Sequence, residues 1–326
     1  MIKRIFLWQL ATFILATVSQ VEAQQAGKIP RIGLLLSGSA PSTSLNVDAF
    51  RQGLHDLGYV EEKSIALEYR YGEGKSGRLP GLAGELLRMQ VAVIVTGGTA
   101  ALQAAKQATE AVPIVIGNAG DPVKTGIVAS LARPGGNITG LTSISPDLSG
   151  KRLELIKEIV PKASRVAVLY HPSQWDDDEL KQTEAAAKAL GMMVQPLSVR
   201  DPKEFQTAFA SMVSDRANAL IIIEGTFTGL NGKQIVELAA TRRLPSMCDG
   251  PAWTNNGCLV SYGPSRSAMW HRAATYVDKI LKGTKPADLP VEQPMKFEFV
   301  INLKTAKQIG LNIPQSVLFR ADKVIK

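Results

Sequence analysis

From residue 31 onward, short apolar runs alternate with amphipathic segments. Residues 31–36 (RIGLLL), 64–71, 91–95 and 112–116 are brief, with many β-branched or aliphatic positions. They predict strands, and the runs that are apolar throughout predict burial on both faces of a parallel sheet. Between them, residues 46–57, 79–89 and 100–109 carry helical periodicity, the first ended by Gly58. After the fourth run come Gly117-Asn118-Ala119-Gly120 and then Asp121-Pro122. Asp at a cap and Pro at the first helical position predict another helix, stopped by Arg133-Pro134-Gly135-Gly136. Strict alternation of strand and helix is the signature of a doubly wound α/β unit.

The pattern then repeats. RVAVLY at 165–170 answers RIGLLL, Leu190-Gly191 answers Leu57-Gly58, and Leu244-Pro245 answers Val112-Pro113. The separations are 134, 133 and 132 positions (31 to 165, 57 to 190, 112 to 244). Near-constant offsets predict two lobes of one architecture. Residues 28–144 are assigned to lobe 1 and 145–265 to lobe 2, with the first crossing at 141–149. A helix at 266–283 is expected to cross back to lobe 1, and residues 290–326, with a strand at 297–302 and a helix at 303–309, are expected in lobe 2. That path predicts a hinge of more than one strand.

The N-terminus follows another rule. Lys3 and Arg4 precede an apolar stretch at 5–18, and Val21-Glu22-Ala23 offers small residues for cleavage. Residues 1–23 are read as a signal peptide, too short for a comfortable membrane span. No cysteine follows, so no lipid anchor is expected there, and a periplasmic location follows. The 326 residues are 45% hydrophobic and 20% charged, a globular composition sufficient for two cores. The net charge of +8 comes from basic residues scattered among acids, such as Lys151-Arg152 near Glu154. That pattern, with no basic run interleaved with aromatics, argues against nucleic-acid binding.

Catalytic and cofactor motifs are weak. Gly72-Glu73-Gly74-Lys75-Ser76-Gly77 fits the dinucleotide spacing, but no acid ends the next strand, so a polar turn is the better reading. The acidic run Asp176-Asp177-Asp178-Glu179 lacks a calcium loop's glycine and reads as the start of a helix. No cofactor, no metal site and no enzymatic constellation is expected. Cys248 and Cys258 fit no zinc spacing. Export permits a disulfide between them, and sequence proximity alone does not decide it.

The loops after the strands carry the candidate site, since ligands bind at the carboxyl ends of strands in open α/β sheets. In the first half these supply Ser37, Ser39, Gly98, Thr99, Asn118 and Ala119; in the second, Tyr170, Thr226, Asp249 and Tyr262. Hydroxyls and exposed N–H groups suit a carboxylate. Asp249 suits an ammonium group, and Tyr170, Phe227, Trp253 and Tyr262 could stack on an aromatic ligand. Competing roles are helix capping for Ser39, Thr99 and Asp121 and ordinary packing for Trp253.

Longer stretches carry a resemblance. They are Leu57-Gly58-Tyr59-Val60-Glu61, Gly120-Asp121-Pro122-Val123, SLARPGGNITG at 130–140, LSGKRLEL at 148–155, Pro286-Ala287-Asp288-Leu289-Pro290 and INLKTA at 301–306. Together they resemble the ABC transporter substrate-binding protein family that includes tryptophan and tyrosine binders. The resemblance implies a type I periplasmic binding protein fold, with two α/β lobes, a three-stranded hinge and a small-molecule ligand in the cleft. It also implies ABC permease subunits as partners and a monomeric chain. By resemblance, Ser37, Thr99, Asn118 or Ala119, Tyr170, Thr226 and Asp249 match ligand-side loops. Glu224-Gly225 and Cys248-Asp249-Gly250-Pro251 depart from what a tryptophan binder would carry. The expected ligand is an aromatic amino acid or a related small carboxylate. A sensor docking on a signalling receptor, or an enzyme using the same cleft, are the alternative functions.

Overall fold

The computed structural model describes residues 29–143, 148–172 and 174–326. The expected signal peptide, Ser173 and part of the first crossing lie outside the described residues.

The first sheet contains β1 (Arg31–Leu36), β2 (Ala66–Tyr71), β3 (Val93–Gly97), β4 (Ile114–Asn118) and β5 (Ile138–Leu141), in the spatial order β5-β4-β3-β1-β2. The second contains β6 (Arg165–Tyr170), β7 (Met193–Ser198), β8 (Ala219–Ile222), β9 (Ser246–Cys248) and β10 (Val260–Pro264), in the order β10-β9-β8-β6-β7. The two orders are the same, so the sequence repeat is a repeat of topology. All pairs within these two sets are parallel. The strands β1, β3 and β4 are almost wholly buried, as their unbroken apolar runs require.

Each sheet is covered on both faces. In the first lobe α1 (Ala40–Asp56) lies on one side, and α2 (Leu79–Arg88) and α3 (Thr99–Ala108) lie on the other. In the second, α4 (Leu148–Ile159) and α5 (Gln174–Ala189) oppose α6 (Phe205–Ser214) and, after the short α7 (Thr226–Leu230), α8 (Gly232–Thr241). A five-residue helix, α9 (Pro251–Asn255), bridges β9 and β10. None of the helices among the described residues is long and apolar enough to cross a membrane.

The tail crosses between lobes. The helix α10 (Arg266–Leu281) leaves β10 and packs on α1 and β4, burying Trp270, Ala273, Ala274 and Val277 in the first core. The strand β11 (Val291–Glu292) then pairs in parallel with β5. This is a correction: residues from 290 onward were expected in lobe 2, yet this pair joins the first sheet. The pattern did not show it because two residues carry no periodicity. The strand β12 (Phe297–Asn302) crosses to the second sheet and runs antiparallel to β10, followed by α11 (Leu303–Ile309), α12 (Gln315–Leu318) and β13 (Lys323–Ile325). The chain therefore passes between sheets after β5, after β10 and after β11.

Two local expectations change. α1 begins at Ala40, six residues before its apolar periodicity, because Ser39 and Ser42 form a reciprocal cap. The helix expected after Asp121-Pro122 is not formed. Asp121 Oδ1 does accept from the N–H groups of Val123 and Lys124, at 2.9 Å each. Gly126 then takes φ +66°, and the N–H groups of Ile127 and Val128 both return to the carbonyl of Pro122. Turning the chain there buries Ile127 and Val128 against the α3 side of the sheet, which a continuing helix would not.

Candidate functional site

In the first lobe the carboxyl ends of three adjacent strands hold Ser37, Gly98, Thr99, Asn118 and Ala119. The side-chain oxygens of Ser37, Thr99 and Asn118 are all used in one sense, as acceptors. Ser37 Oγ accepts from the N–H of Ala101 at 3.1 Å, and Thr99 Oγ1 accepts from the N–H of Gly120 at 3.1 Å. Asn118 Oδ1 accepts from the indole Nε1 of Trp270 at 2.9 Å. Acceptor capacity is thus used internally. The Ser37 and Thr99 O–H groups and the Asn118 amide N–H groups are left as donors, with no acceptor among the described residues. Gly98 holds φ +95°, and a Cβ on it would lie 2.8 Å from Ser37 Oγ, so the backbone passes close to the serine. The carbonyl of Ala119 accepts from the N–H and hydroxyl of Ser143 at 2.7 and 2.6 Å, which fixes that turn.

Gly97 and Gly117 serve a different purpose from the one their position suggests. A Cβ on either would meet the Trp270 indole, at 2.9 and 2.8 Å. These glycines let the helix α10 lay its tryptophan flat across the ends of β3 and β4. Ser39 is occupied as the cap of α1.

The second lobe presents charges. Arg152, in the second turn of α4 and only 3% exposed, uses all three nitrogens. Nε donates to the Tyr262 carbonyl at 2.9 Å, Nη1 to Glu179 Oε1 at 2.7 Å, and Nη2 to Asp249 Oδ1. Arg266, the first residue of α10, donates from Nη2 to Asp249 Oδ2 at 2.9 Å and pairs through Nη1 with Glu224 Oε1 at 2.8 Å. Asp249 therefore sits between two guanidiniums, one on each oxygen. Burial would raise its carboxyl, but Arg152 and Arg266 outweigh burial and hold it below the usual carboxylate range. Glu224 goes the other way. Burial raises it, Arg266 opposes, and the neighbouring Asp249 charge adds to the rise, so its carboxyl is pushed up to about 7. Burial also raises Glu179, against the pull of Arg152.

The sequence marked Asp249 and missed most of its partners. Arg152 and Glu179 looked like members of ordinary charged helix faces. One signal was available in Gly263: a Cβ there would lie 1.8 Å from the Asp249 carbonyl, so only glycine admits this turn. Cys248 and Cys258 are joined in a disulfide with Cα atoms 6.6 Å apart, tying the end of β9 to the start of β10. The expected aromatic wall divides. Trp253 is buried in the core, at 4% exposure, with its side chain hydrogen-bonded to Glu224. Phe227 lies against His171 and Phe205, with ring centroids at 4.9 and 5.8 Å. Tyr262 packs on Phe297 and Phe299, and Tyr170 is half-buried at the end of β6.

The two sets of loops meet. A Cβ on Gly98 would lie 3.8 Å from Thr226 Oγ1, and one on Gly74 would lie 2.4 Å from Leu230 Cδ1. Lys124 Nζ reaches Asp178 Oδ2 at 2.5 Å. Each contact joins a first-lobe residue to a second-lobe one, so the lobes are closed on each other.

The sequence profile of the ABC transporter substrate-binding protein family matches residues 31–325. A tyrosine-binding protein of Clostridioides difficile (strain R20291) is 24% identical over 286 residues, covering 87% of this chain and 82% of that one. A conserved domain protein from Vibrio cholerae superposes with TM-score 0.85 at 25% identity, covering 91% of this chain and all of the other. An ABC domain from Streptococcus pneumonia solved in complex with L-Trp superposes with TM-score 0.84 at 26% identity, with coverage of 91% and 100%. A leucine-binding protein from Thermotoga maritima, at 14% identity and TM-score 0.59, shares the fold, covering 86% of this chain and 87% of its own. With the profile spanning both lobes and the hinge, the chain belongs to the ABC transporter substrate-binding protein family.

Proposed function

We propose that this chain is the exported, periplasmic ligand-capturing component of an ABC importer. It holds an aromatic amino acid or a related small carboxylate between its lobes. The observation that carries the reading is the donor set at the strand ends of the first lobe. Ser37, Thr99 and Asn118 each spend an acceptor atom on an internal N–H and keep their donors, which suits a ligand carboxylate. The tyrosine-binding relative and the L-Trp-bound structure support an aromatic amino acid. The leader-like residues 1–23 support export.

Closure is the mechanism. A ligand that touches both loop sets gains contacts in the closed form that it lacks in the open one, and so shifts the population toward closure. The closed monomer then docks on the permease subunits. The lobes are taken as residues 28–144 with the helix at 266–283 and the β11 pair, and residues 145–265 with the remainder of 290–326.

The test is to purify the mature protein gently and identify any bound molecule by native mass spectrometry. A thermal-shift screen of amino acids and aromatic acids runs alongside. A bound aromatic amino acid, or a clear rise in Tm with one, is expected. A cleft that responds to none of them would overturn the ligand class.

A further inference from the structure

We propose that the second lobe carries a further binding site, on the edge of its sheet opposite the cleft, for a phosphate anion borne on a small apolar group.

A cavity of about 390 Å³ opens where the chain enters β6, β8 and β9. This is the amino end of those strands, whereas the loops described above lie at the carboxyl end. Its volume falls within the range of small-molecule sites. The floor is apolar, made by Val160 after α4, Met212 and Val213 near the end of α6, and Leu244 and Pro245 before β9. The longer polar side chains on it are Lys162, Asn218, Arg242 and Arg243, and none is an acid. Asn218 Oδ1 is spent on the N–H groups of Ser164 and Arg165, at 2.9 and 3.1 Å, so Asn218 keeps only amide donors.

The cations are unspent. The side chains of Lys162 and Arg243 have no partner among the described residues, and neither has that of Arg216, next to the lining residue Ala217. Arg242 has no carboxylate partner but is held in place. Its Nη2 donates to Gln206 Oε1 at 3.0 Å, and its guanidinium carbon lies 5.5 Å from the centroid of the Phe209 ring. Asp215, the acid beside Arg216 in sequence, is engaged by Gln195 Nε2 at 2.7 Å. A guanidinium fork matches two oxygens of a phosphate, and three lining cations suit its charge better than that of a single carboxylate. The apolar floor then takes the organic part of the ester.

The first lobe supplies the comparison. Ala92 donates to Arg31 as Asn218 does to Arg165, and Ile94 to Pro113 as Leu220 does to Pro245, so the same turns recur. There they read Met89-Gln90-Val91-Ala92 and Thr109-Glu110-Ala111-Val112, with no cation and one acid. Gln90 and Arg216 even share φ, at +56° and +57°. The shared backbone therefore does not call for cations in these turns, and the second lobe alone gathers them around a cavity.

Isothermal titration calorimetry with phenyl phosphate tests the site, with inorganic phosphate and phenol as the two halves of the probe. Phenyl phosphate should bind at least tenfold tighter than inorganic phosphate, because only the ester covers the apolar floor, and phenol should give no heat. Arg242→Gln combined with Arg243→Asn should weaken phenyl phosphate at least tenfold and move Tm by no more than about 2 °C. Asparagine is used because Arg243 holds φ +52°, which asparagine tolerates. Lys162→Gln, on an exposed side chain, should weaken it about threefold by itself. Vesicles separate the sources of phosphate. Co-sedimentation with phosphatidylglycerol but not phosphatidylcholine vesicles, lost in the double variant, assigns the site to a lipid headgroup. Phenyl phosphate binding without co-sedimentation assigns it to a soluble ester. Neither heat nor co-sedimentation, equal affinity for inorganic phosphate, or binding that survives in the double variant and in Lys162→Gln would overturn the proposal.

Discussion

The two loop sets that face each other are built from opposite materials. The first lobe uses neutral groups, Ser37, Thr99 and Asn118, each fixed by a single hydrogen bond from an N–H. The second uses five charged side chains in one connected cluster. A neutral donor set is cheap to hold dry and keeps its geometry at any ordinary pH. A buried charge cluster is costly unless every member is paired, and its balance changes with one proton or one cation. On the function proposed above, a ligand held between the lobes would meet a fixed surface on one side and a responsive surface on the other.

The comparison is broken most severely at Arg152. Arg152→Met should destabilise the protein by about 3–5 kcal/mol in urea unfolding, because Asp249 and Glu179 are left buried without their shared partner. A loss near zero would mean that the cluster is solvated and not a core of the second lobe. Next comes pH. A carboxyl raised in the folded state binds its proton more tightly there than in the unfolded chain. Glu224 therefore makes stability fall as pH rises from its ordinary value of 4.5 to about 7. Glu224→Gln should flatten that decline in a series of thermal melts, and substitutions in the first-lobe set should leave it unchanged.

Smaller effects sharpen the neutral side. Trp270→Phe keeps most of the packing but removes the indole N–H from Asn118 Oδ1, at a cost of about 1–3 kcal/mol. With its acceptor released, the Asn118 amide should lose its orientation, so ligand affinity should fall with no change in the pH profile. Ser39→Ala removes only a helix cap. It should cost about 1 kcal/mol of stability and leave affinity unaltered in calorimetry. A drop in affinity would return Ser39 to the site.

Much of this architecture is legible before any coordinates. RIGLLL and RVAVLY occupy the same place in two sheets of the same order, and the near-constant offsets between them report that repeat. What fails is local and has a physical reason. Asp121-Pro122 carries every sign of a helix start, but Gly126 and the burial of Ile127 and Val128 turn the chain. Gly117 looks like bare space for a ligand and is in fact space for Trp270, which lies 153 positions away. The charge cluster is the hardest to foresee. Arg152, Glu179, Glu224, Asp249 and Arg266 come from five separate segments, and no periodicity or spacing links them.

Arg266 and Trp270 stand four positions apart on α10, about one helical turn. The first is gripped by the second lobe through Asp249 and Glu224, the second by the first lobe through Asn118. A rigid turn of helix thus acts as a fulcrum, with Ser265 just outside it, pinned by its N–H to the Lys296 carbonyl at 2.9 Å. Near that fulcrum the two surfaces can hardly separate. On the closure mechanism proposed above, opening breaks the contacts made away from this helix, Gly74 with Leu230 and Lys124 with Asp178. Those contacts are single, while the helix is held by several pairs, so on this reading the helix is the bearing on which the lobes swing and the single contacts are the latch.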